Sequence, residues 1–368
     1  MEPIVYRIAL AGLGNVGASL LSILHQESGA LQTRYGVRFR VTGVAELGGG
    51  AVNDEGLDLA QLLATLKAKK LVSGLLEVGR PGMQSIDLLT LAKPDFLLEA
   101  TPVNLQTAEP GLSCVRAALK AGVHVVLANK GPAAIAFKEL AELSDLGEGW
   151  GRNFGELPTA IAQQTRPKLR FSACVAGSLP AINLGWRDLA GCRIQRLEAV
   201  FNGTTQYIIR AMEAGQSYEG ALADAQRRGI AETDPSLDVD GWDAAAKLVI
   251  AANVVLGQPT QLEDVKRQGI RDLTRQDLIE ASQNDSRMVP VALAELVDGR
   301  YQLSVKPTPL PLDHPLSRLT PDEMGVVYYS CDVDRLSAAS SEPGPEPAAA
   351  AMLRDMLEII RSTSNHHK

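Results

Sequence analysis

Short apolar runs alternate with stretches of helical periodicity through the first 130 residues. Each apolar run is β-prone and ends at a turn, as a strand does. Strands separated by helical stretches are typical of a parallel sheet covered by helices. We therefore predict an α/β domain with a doubly wound parallel sheet over residues 1–150. Its predicted strands lie at residues 5–11, 39–45, 95–99 and 123–127.

The pattern changes after residue 150. Residues 146–168 are rich in glycine, proline and polar side chains, which predicts a linker or long loop. The residues that follow mix strand and helix patterns, and we assign them to a second domain over residues 151–340. In the C-terminal segment 341–368, apolar positions at helical spacing predict a helix over 348–360. The second domain's predicted strands lie at 170–176, 196–201, 288–293, 301–305 and 325–331, and its predicted helices at 205–212 and 218–228.

A glycine-rich turn joins the first predicted strand to the first helix. It has the spacing G-x-G-x-x-G, formed by Gly12, Gly14 and Gly17 around Asn15 and Val16. Gly12 allows the tight turn, Gly14 lets the backbone approach a pyrophosphate, and Gly17 lets helix and strand pack closely. The N–H groups at the helix start can then bind phosphates. In this strand–turn–helix context the motif predicts dinucleotide binding.

Glu46 follows the second predicted strand and bears on the choice of cofactor. An acidic residue at this place binds the adenosine ribose hydroxyls and repels a 2′-phosphate, which favours NAD over NADP. Glu46 lies 34 residues after Gly12, more than the usual spacing of about 20, and an insertion at residues 27–37 accounts for the difference. A solvated loop role for Glu46, or an approach of Arg38 or Arg40 to a phosphate, stays open.

Two further strand ends carry polar residues. The strand at 95–99 runs into Thr101 and Pro102, and the strand at 123–127 runs into Lys130. Ligands of doubly wound sheets bind outside the carboxyl ends of the strands. We therefore predict that these three residues lie beside the nicotinamide end of the cofactor. For Lys130, a surface lysine at a strand end is the alternative.

A carboxylate-rich tract precedes one lysine and an apolar helical stretch. Asp243 and Lys247 are four residues apart, so they share one face of a helix. This pair could hold an ammonium near a substrate carbonyl while other carboxylates receive a substrate amine. A surface loop followed by a capped helix with an ordinary ion pair is the alternative. The carboxylates of the tract are Glu232, Asp234, Asp238, Asp240 and Asp243.

A second polar turn stands between a strand and a helix. Asn202, Gly203, Thr204 and Thr205 follow the predicted strand at 196–201. Hydroxyl and N–H groups at a helix start suit an anion such as a carboxylate. The alternative is that the turn only caps the helix.

Composition and charge exclude several classes. A net charge of −7 argues against a nucleic-acid surface, and no apolar run is long enough for a membrane span. The four cysteines are widely spaced, which predicts neither a disulfide framework nor a zinc site and favours a reducing, cytoplasmic compartment. The scattered histidines give no support for a histidine-based metal site or triad. The cysteines are Cys114, Cys174, Cys192 and Cys331.

Taken together, these motifs resemble the homoserine dehydrogenase family, in order and spacing across nearly the whole chain. The most specific of them is the tract from Gly229 to Lys247. The resemblance implies reversible NAD(P)-dependent interconversion of L-homoserine and L-aspartate 4-semialdehyde. It also implies an N-terminal Rossmann domain, an α+β catalytic domain on a mixed sheet that forms a homodimer, and a C-terminal helix that returns to the first domain. A regulatory ACT domain is not expected.

The resemblance also implies a role for individual residues. Lys247 would be the general acid/base, with Asp243 holding the substrate or orienting the lysine, and Lys130 would serve the reaction from the cofactor side. Glu232 would bind the substrate amine. The implied substrate-binding residues are Glu232, Asp238, Thr204 and Gly203, and the implied cofactor-binding residues are Gly12, Gly14, Asn15, Val16, Gly17, Glu46, Thr101, Pro102, Lys130 and Gly344.

Two segments depart from the family pattern. The turn V-G-G-G-x-P reads Val-Ala-Gly-Ser-Leu-Pro at residues 175–180. In the family, backbone carbonyls of this turn can hold Na⁺ or K⁺. A Gly-Ala-Gly segment that touches the cofactor in relatives is replaced at 342–346, around Gly344, which bears on cofactor affinity or preference. By position, the cation ligands would be the carbonyls of Ser172, Val175, Gly177 and Leu179.

Two other functions stay open at this point. A related Rossmann oxidoreductase would act on another small amino-hydroxy or aldehyde substrate; in the phosphorylating kind, Cys174 would have to be a nucleophile, but no base is visible near it. A catalytically degenerate paralogue would sense the nucleotide's redox state, which the altered turns favour. The intact Asp243 and Lys247 pair argues for an enzyme.

Overall fold

The computed structural model describes residues 2–148 and 166–364. The chain forms two compact units, residues 1–177 together with 344–368, and residues 178–343. The division thus falls after Gly177, whereas the pattern change in the sequence suggested residue 150. Most of the predicted loop at 146–168 lies outside the described residues.

The first unit contains a seven-stranded sheet with the order β4-β3-β2-β1-β5-β6-β7. Strand β1 pairs in parallel with β2 and β5, and β5, β6 and β7 continue in parallel. The pairs β2–β3 and β3–β4 are antiparallel. The predicted doubly wound α/β domain is confirmed, with an antiparallel edge added to it. The strands are β1 (Ile4–Ala11), β2 (Val37–Glu46), β3 (Gly49–Val52), β4 (Gly79–Pro81), β5 (Phe96–Glu99), β6 (His124–Leu127) and β7 (Leu169–Arg170).

The helices of this unit lie between the strands. The first begins directly after the glycine turn and buries Leu20, Leu21 and Leu24 on one face, as its apolar spacing requires. A helix occupies most of the predicted insertion at 27–37. It ends at Gly36, whose φ of 68° suits glycine. The helices are α1 (Asn15–Gln26), α2 (Ser28–Tyr35), α3 (Leu59–Lys67), α4 (Leu88–Leu91), α5 (Gly111–Lys120), α6 (Lys130–Ile135) and α7 (Phe137–Leu143).

The second unit is built on a six-stranded mixed sheet with the order β13-β12-β8-β10-β11-β9. All its described pairs are antiparallel except β11–β9. The expected α+β architecture is confirmed. Its elements are β8 (Ile194–Val200), β9 (Val265–Arg267), β10 (Ser286–Val297), β11 (Arg300–Pro311), β12 (Glu323–Ser330) and β13 (Asp334–Ser341), with α8 (Ala181–Asn183), α9 (Gly203–Glu213), α10 (Tyr218–Arg227), α11 (Ser236–Val239), α12 (Trp242–Val254) and α13 (Arg275–Gln283).

The last helix, α14 (Glu346–Ser364), belongs to the first unit. Met352, Met356 and Ile359 of α14 are fully buried and join the apolar core that also contains Ile8 and Leu20. Each buried side chain of this size contributes about 1.5–3 kcal/mol. The C-terminal helix is therefore part of the first unit's core.

Some sequence predictions of local structure were wrong. The strand expected from residue 170 ends at Arg170, because the chain turns into a 3₁₀ helix at Ser172–Cys174. Ala176 and Gly177 then both take a φ of +58°, outside the β region. Strand β13 was not predicted, since it is an exposed edge strand of small and polar residues. Among the described residues, no helix is long and apolar enough to cross a membrane.

Candidate active site

Helix α12 carries Lys247, the lysine that follows the carboxylate-rich tract. Gly241 precedes the helix with a φ of 80°, a left-handed conformation that suits glycine. The helix is buried on nearly every side, from Ala244 to Asn253. Asp243 and Lys247 lie one turn apart near its start, which keeps both polar groups at one end of a buried helix.

The Lys247 ammonium is held at two points. Its Nζ lies 2.7 Å from Oδ2 of Asp243 and 2.6 Å from the carbonyl oxygen of Phe201, just beyond strand β8. Both ionic side chains are largely buried, 13% exposed for Lys247 and 10% for Asp243. An ordinary exposed i,i+4 ion pair would be mobile and weak, whereas this ammonium has one place.

Asn202 joins two carboxylates to this pair. Its side-chain Nδ2 donates to Oδ1 of Asp238 at 2.6 Å and to Oδ2 of Asp243 at 2.8 Å. Its Oδ1 accepts from the backbone N–H of Thr205 at 2.8 Å and so caps α9. One amide therefore fixes a helix start and the acid–base cluster, as we call Asn202, Asp238, Asp243 and Lys247. Sequence reasoning treated Asn202 only as part of a turn.

Asp238 is the carboxyl whose protonation this arrangement alters. Burial raises the pKa of Asp238, and the negative charge of Asp243 raises it further. The hydrogen bond from Asn202 and the charge of Lys247 act in the opposite direction and lower this pKa. The two carboxylates share the positive charge of one lysine.

The turn that opens α9 lies beside the cluster. Thr204 is buried, and its hydroxyl donates to the carbonyl of Ile230 at 3.1 Å. Gly203 is the first residue of α9, and open space surrounds the position that its Cβ would take. Their predicted part in binding a substrate carboxylate stays a prediction.

The remaining carboxylates of the tract lie elsewhere. Asp234 accepts from the Ser236 hydroxyl and backbone N–H, and Asp240 is bonded to Arg271. Glu232 is exposed. The structure thus brings Asp238 and Asp243 together with Lys247, while the contact of Glu232 with a substrate amine stays a prediction.

The glycine motif of the first unit has the geometry that a dinucleotide site needs. Gly12 has a φ of +98°, and a Cβ there would overlap the backbone of Ala100 and Thr101. A Cβ on Gly17 would overlap the carbonyl oxygen of Gly12. Gly14 precedes α1 without a side-chain cap, and the first turn, which begins at Asn15 and Val16, holds no acid. The start of α1 is thus suited to an anion.

Glu46 is the last residue of β2, as predicted. Its Oε1 accepts a hydrogen bond from the backbone N–H of Val72 at 2.7 Å. This contact fixes the side chain without using all the acceptor capacity of a carboxylate. Its predicted role at the ribose stays a prediction.

The ends of β5 and β6 form a second polar cluster. Oε1 of the fully buried Glu99 accepts from the backbone N–H of Thr101 at 2.9 Å and from the Thr101 hydroxyl. Asn129 Nδ2 donates to the same hydroxyl at 3.2 Å. Burial raises the pKa of Glu99 to about 7, against the effect of these hydrogen bonds. We call Glu99, Thr101 and Asn129 the strand-end cluster; Pro102 follows Thr101, and Lys130 follows Asn129 and begins α6.

The predicted cation ligands divide between the two units. Ser172, Val175 and Gly177 belong to the first unit and Leu179 to the second. The Ser172 carbonyl accepts from Val175 at 3.2 Å, and the Leu179 carbonyl accepts from Ala181 at 2.8 Å. Each carbonyl has a second lone pair, so the cation stays a prediction. The described residues contain no cluster of His, Cys, Asp or Glu that could hold a metal ion.

Two of the departures from the family pattern contact each other. Oε1 of Glu342 accepts from the Ser178 backbone N–H at 3.0 Å and from its hydroxyl at 2.8 Å. The hydroxyl of Ser340 donates to the same oxygen at 2.7 Å. The two altered segments are thus hydrogen-bonded to each other within the second unit.

Comparisons with known proteins point in one direction. A family model described as homoserine dehydrogenase matches residues 180–357. The chain is 32% identical to a homoserine dehydrogenase of Methanocaldococcus jannaschii over 97% of this chain and 99% of that protein. It is 31% identical to an NAD(+)-dependent homoserine dehydrogenase of Pseudomonas canavaninivorans over 98% and 97%. A crystal structure from Archaeoglobus fulgidus, assigned as a homoserine dehydrogenase, superposes with a TM-score of 0.80 at 29% identity over 96% of this chain and 99% of that one.

Proposed function

Because this chain belongs to the homoserine dehydrogenase family, we propose that Lys247, paired with Asp243, is the acid–base group of its reaction. The enzyme interconverts L-homoserine and L-aspartate 4-semialdehyde in an NAD(P)-dependent reaction. The observation that carries the assignment is the 2.7 Å ion pair between two largely buried side chains. It holds Nζ in one place, which a proton-transfer group requires.

The direction of proton transfer follows from the chemistry of the two substrates. During reduction of the semialdehyde, the Lys247 ammonium donates a proton to the carbonyl oxygen. During oxidation of homoserine, the neutral amine accepts the hydroxyl proton. Asp243 and the Phe201 carbonyl occupy two N–H groups of Lys247, and an ammonium has three. The third is available to a substrate oxygen.

The charged ends of the amino acid need opposite partners. Glu232 receives the substrate ammonium through a charge-assisted hydrogen bond, and Asp238 adds a second carboxylate. Thr204 and Gly203, at the start of α9, receive the substrate carboxylate, because a helix start favours an anion.

The dinucleotide binds to the first unit. The overlap that any Cβ would cause at Gly12 and Gly17, and the uncapped start of α1, fit a pyrophosphate. When bound, the nicotinamide supplies or accepts the hydride. Glu46 favours NAD over NADP by binding the ribose hydroxyls. The residues that hold the cofactor are Gly12, Gly14, Asn15, Val16 and Gly17 at the pyrophosphate, Thr101, Pro102 and Lys130 at the nicotinamide end, with Lys130 also serving the reaction, and Gly344 before α14.

Three further properties belong to the proposal. Na⁺ or K⁺ binds the carbonyls of Ser172, Val175, Gly177 and Leu179. Comparing the activity in a sodium or potassium salt with the activity in a choline salt tests this. The second unit forms a homodimer, which light scattering tests. The enzyme works in the cytoplasm, with which its free cysteines are compatible.

The function is tested by following nicotinamide absorbance with L-homoserine and with NAD⁺ or NADP⁺. We expect turnover with L-homoserine and little with its D-enantiomer, and a higher kcat/KM with NAD⁺. No turnover with either cofactor would contradict the function, and a several-fold preference for NADP⁺ would contradict the role of Glu46.

A further inference from the structure

Glu99 is a buried carboxyl that the reaction scheme does not use. It ends β5, is fully buried, and its Oε2 has no hydrogen-bond partner among the described residues. Burying a carboxyl oxygen without a hydrogen-bond partner costs folding free energy, so a carboxyl at this position calls for a structural explanation. Its place in the fold supplies one.

The Glu99 carboxyl ties together the ends of neighbouring strands. Its Oε1 accepts from both the N–H and the hydroxyl of Thr101, two residues beyond β5. That hydroxyl in turn accepts from the Asn129 side chain beyond β6. Asn129 also caps α6 by accepting from the Gly131 N–H at 2.9 Å. A directional chain of hydrogen bonds therefore runs from Asn129 through Thr101 to Glu99.

The same segment lies against the glycine motif and against helix α5. The backbone of Ala100 and Thr101 occupies the space that a Cβ on Gly12 would need. A Cβ on Gly111, the first residue of α5, would lie 3.0 Å from Oε1 of Glu99. Because Oε1 accepts both hydrogen bonds of Thr101, any movement of the Glu99 carboxyl would also move the turn that carries Thr101.

We propose that Glu99 is a positioning residue for the nicotinamide end of the cofactor site: by accepting both hydrogen bonds of Thr101 it holds the segments that carry Thr101, Pro102 and Lys130. The inference rests on the proposed function, which places those three residues beside the nicotinamide. It concerns only that end of the dinucleotide. The pyrophosphate is held separately by the glycine motif.

Two ligands test the nicotinamide end and the pyrophosphate end of the cofactor site separately. The first is NAD⁺ or NADP⁺, whichever the wild type binds more tightly, and the second is the matching fragment without nicotinamide, ADP-ribose or its 2′-phosphate. Titration calorimetry measures both on the full chain. Glu99→Leu removes the acceptor, and Glu99→Gln keeps an oxygen acceptor of the same reach.

For Glu99→Leu we expect the Kd for the complete dinucleotide to rise about tenfold or more, with the Kd for the fragment changed less than about twofold. Glu99→Gln should leave both constants near those of the wild type, because Thr101 keeps its acceptor. Thr42 lies on β2 of the same sheet, and its hydroxyl donates to the carbonyl of Ala92, just after α4. Thr42→Val removes this buried hydrogen bond, is the control for general loosening and should change neither constant selectively.

A parallel loss of both ligands, no loss, or a selective loss in Glu99→Gln as well would overturn the inference. If Glu99→Leu does not fold, Glu99→Asp withdraws the carboxyl by one methylene and should give the same selective loss; equal effects on both ligands would again overturn it. Failure of the wild type to bind any nicotinamide dinucleotide would contradict the proposed function itself.

Discussion

The acid–base cluster is largely buried and the strand-end cluster is buried, and both are built on carboxyl groups, but only the first contains a cation. In the first, Asn202 and Lys247 surround Asp243 with donors. In the second, the donors are neutral: Thr101 donates to the carboxyl of Glu99, and Asn129 donates to the Thr101 hydroxyl. Burial raises the pKa of Glu99 to about 7. A buried carboxyl keeps its charge where a partner balances it and tends to hold its proton where none does. The first arrangement suits proton transfer, and the second suits holding backbone in place.

Removing the cation tests this contrast most strongly. Lys247→Ala should still bind cofactor but lose about 10²–10⁴-fold in kcat, because the proton-transfer group is gone. Steady-state kinetics measure the loss, and calorimetric titration checks the cofactor. Lys266→Ala, an exposed lysine on β9, is the matched control and should retain activity. A Lys247→Ala enzyme with near wild-type kcat would rule out the assigned role.

A substitution of Asn202 tests whether the stability of the acid–base cluster depends on the neutral amide that bonds both of its carboxylates. Asn202→Ala removes a helix cap and two hydrogen bonds to carboxylates, so we expect unfolding in urea to need about 2–3 kcal/mol less free energy. Ser217→Ala, which removes only the cap of α10, should cost about 1 kcal/mol. Equal losses in both variants would mean that the bonds to Asp238 and Asp243 add nothing measurable.

The two clusters also show what the sequence could and could not reveal. The glycine motif and the Asp243–Lys247 pair were visible because strand–turn–helix order and i,i+4 spacing are local. The bonds of Asn202 to Asp238 and Asp243 join residues 36 and 41 positions apart, so no local period contains them. Glu99 read as a strand end, since its burial depends on β6 and α5 packing around it.

The lone carboxyl of the strand-end cluster predicts a pH effect on stability. The pKa of Glu99 is raised from 4.5 to about 7 in the folded state. Its contribution to stability is therefore fully present below about pH 4.5 and is lost as the pH rises through about 7. Linkage with these values gives a loss of about 2 kcal/mol between about pH 5.5 and pH 8.

The difference in unfolding free energy between Glu99→Gln and the wild type measures this effect. It should shift by about 2 kcal/mol in favour of the variant as the pH rises from about 5.5 to 8. Thr42→Val introduces no titrating group, so its difference from the wild type should not depend on pH. A pH-independent difference for Glu99→Gln would show that this carboxyl does not titrate in that range.

Glu232 is an exposed carboxylate of the tract that also contains Asp238 and Asp243. Because solvent screens its charge, we expect its substitution to have the smallest effect of these substitutions. Glu232→Gln keeps the shape and removes the charge, so the KM for homoserine should rise several-fold, up to about tenfold. The Kd for cofactor should stay nearly constant, because Glu232 lies in the second unit and the dinucleotide motif in the first. Glu219→Gln, on α10, is the matched control for loss of one negative charge and should leave KM unchanged. If Glu232→Gln instead lost cofactor affinity and kept its homoserine KM, the carboxylate would not be part of the amino-acid site, and recognition of the substrate amine would have to come from the buried cluster alone.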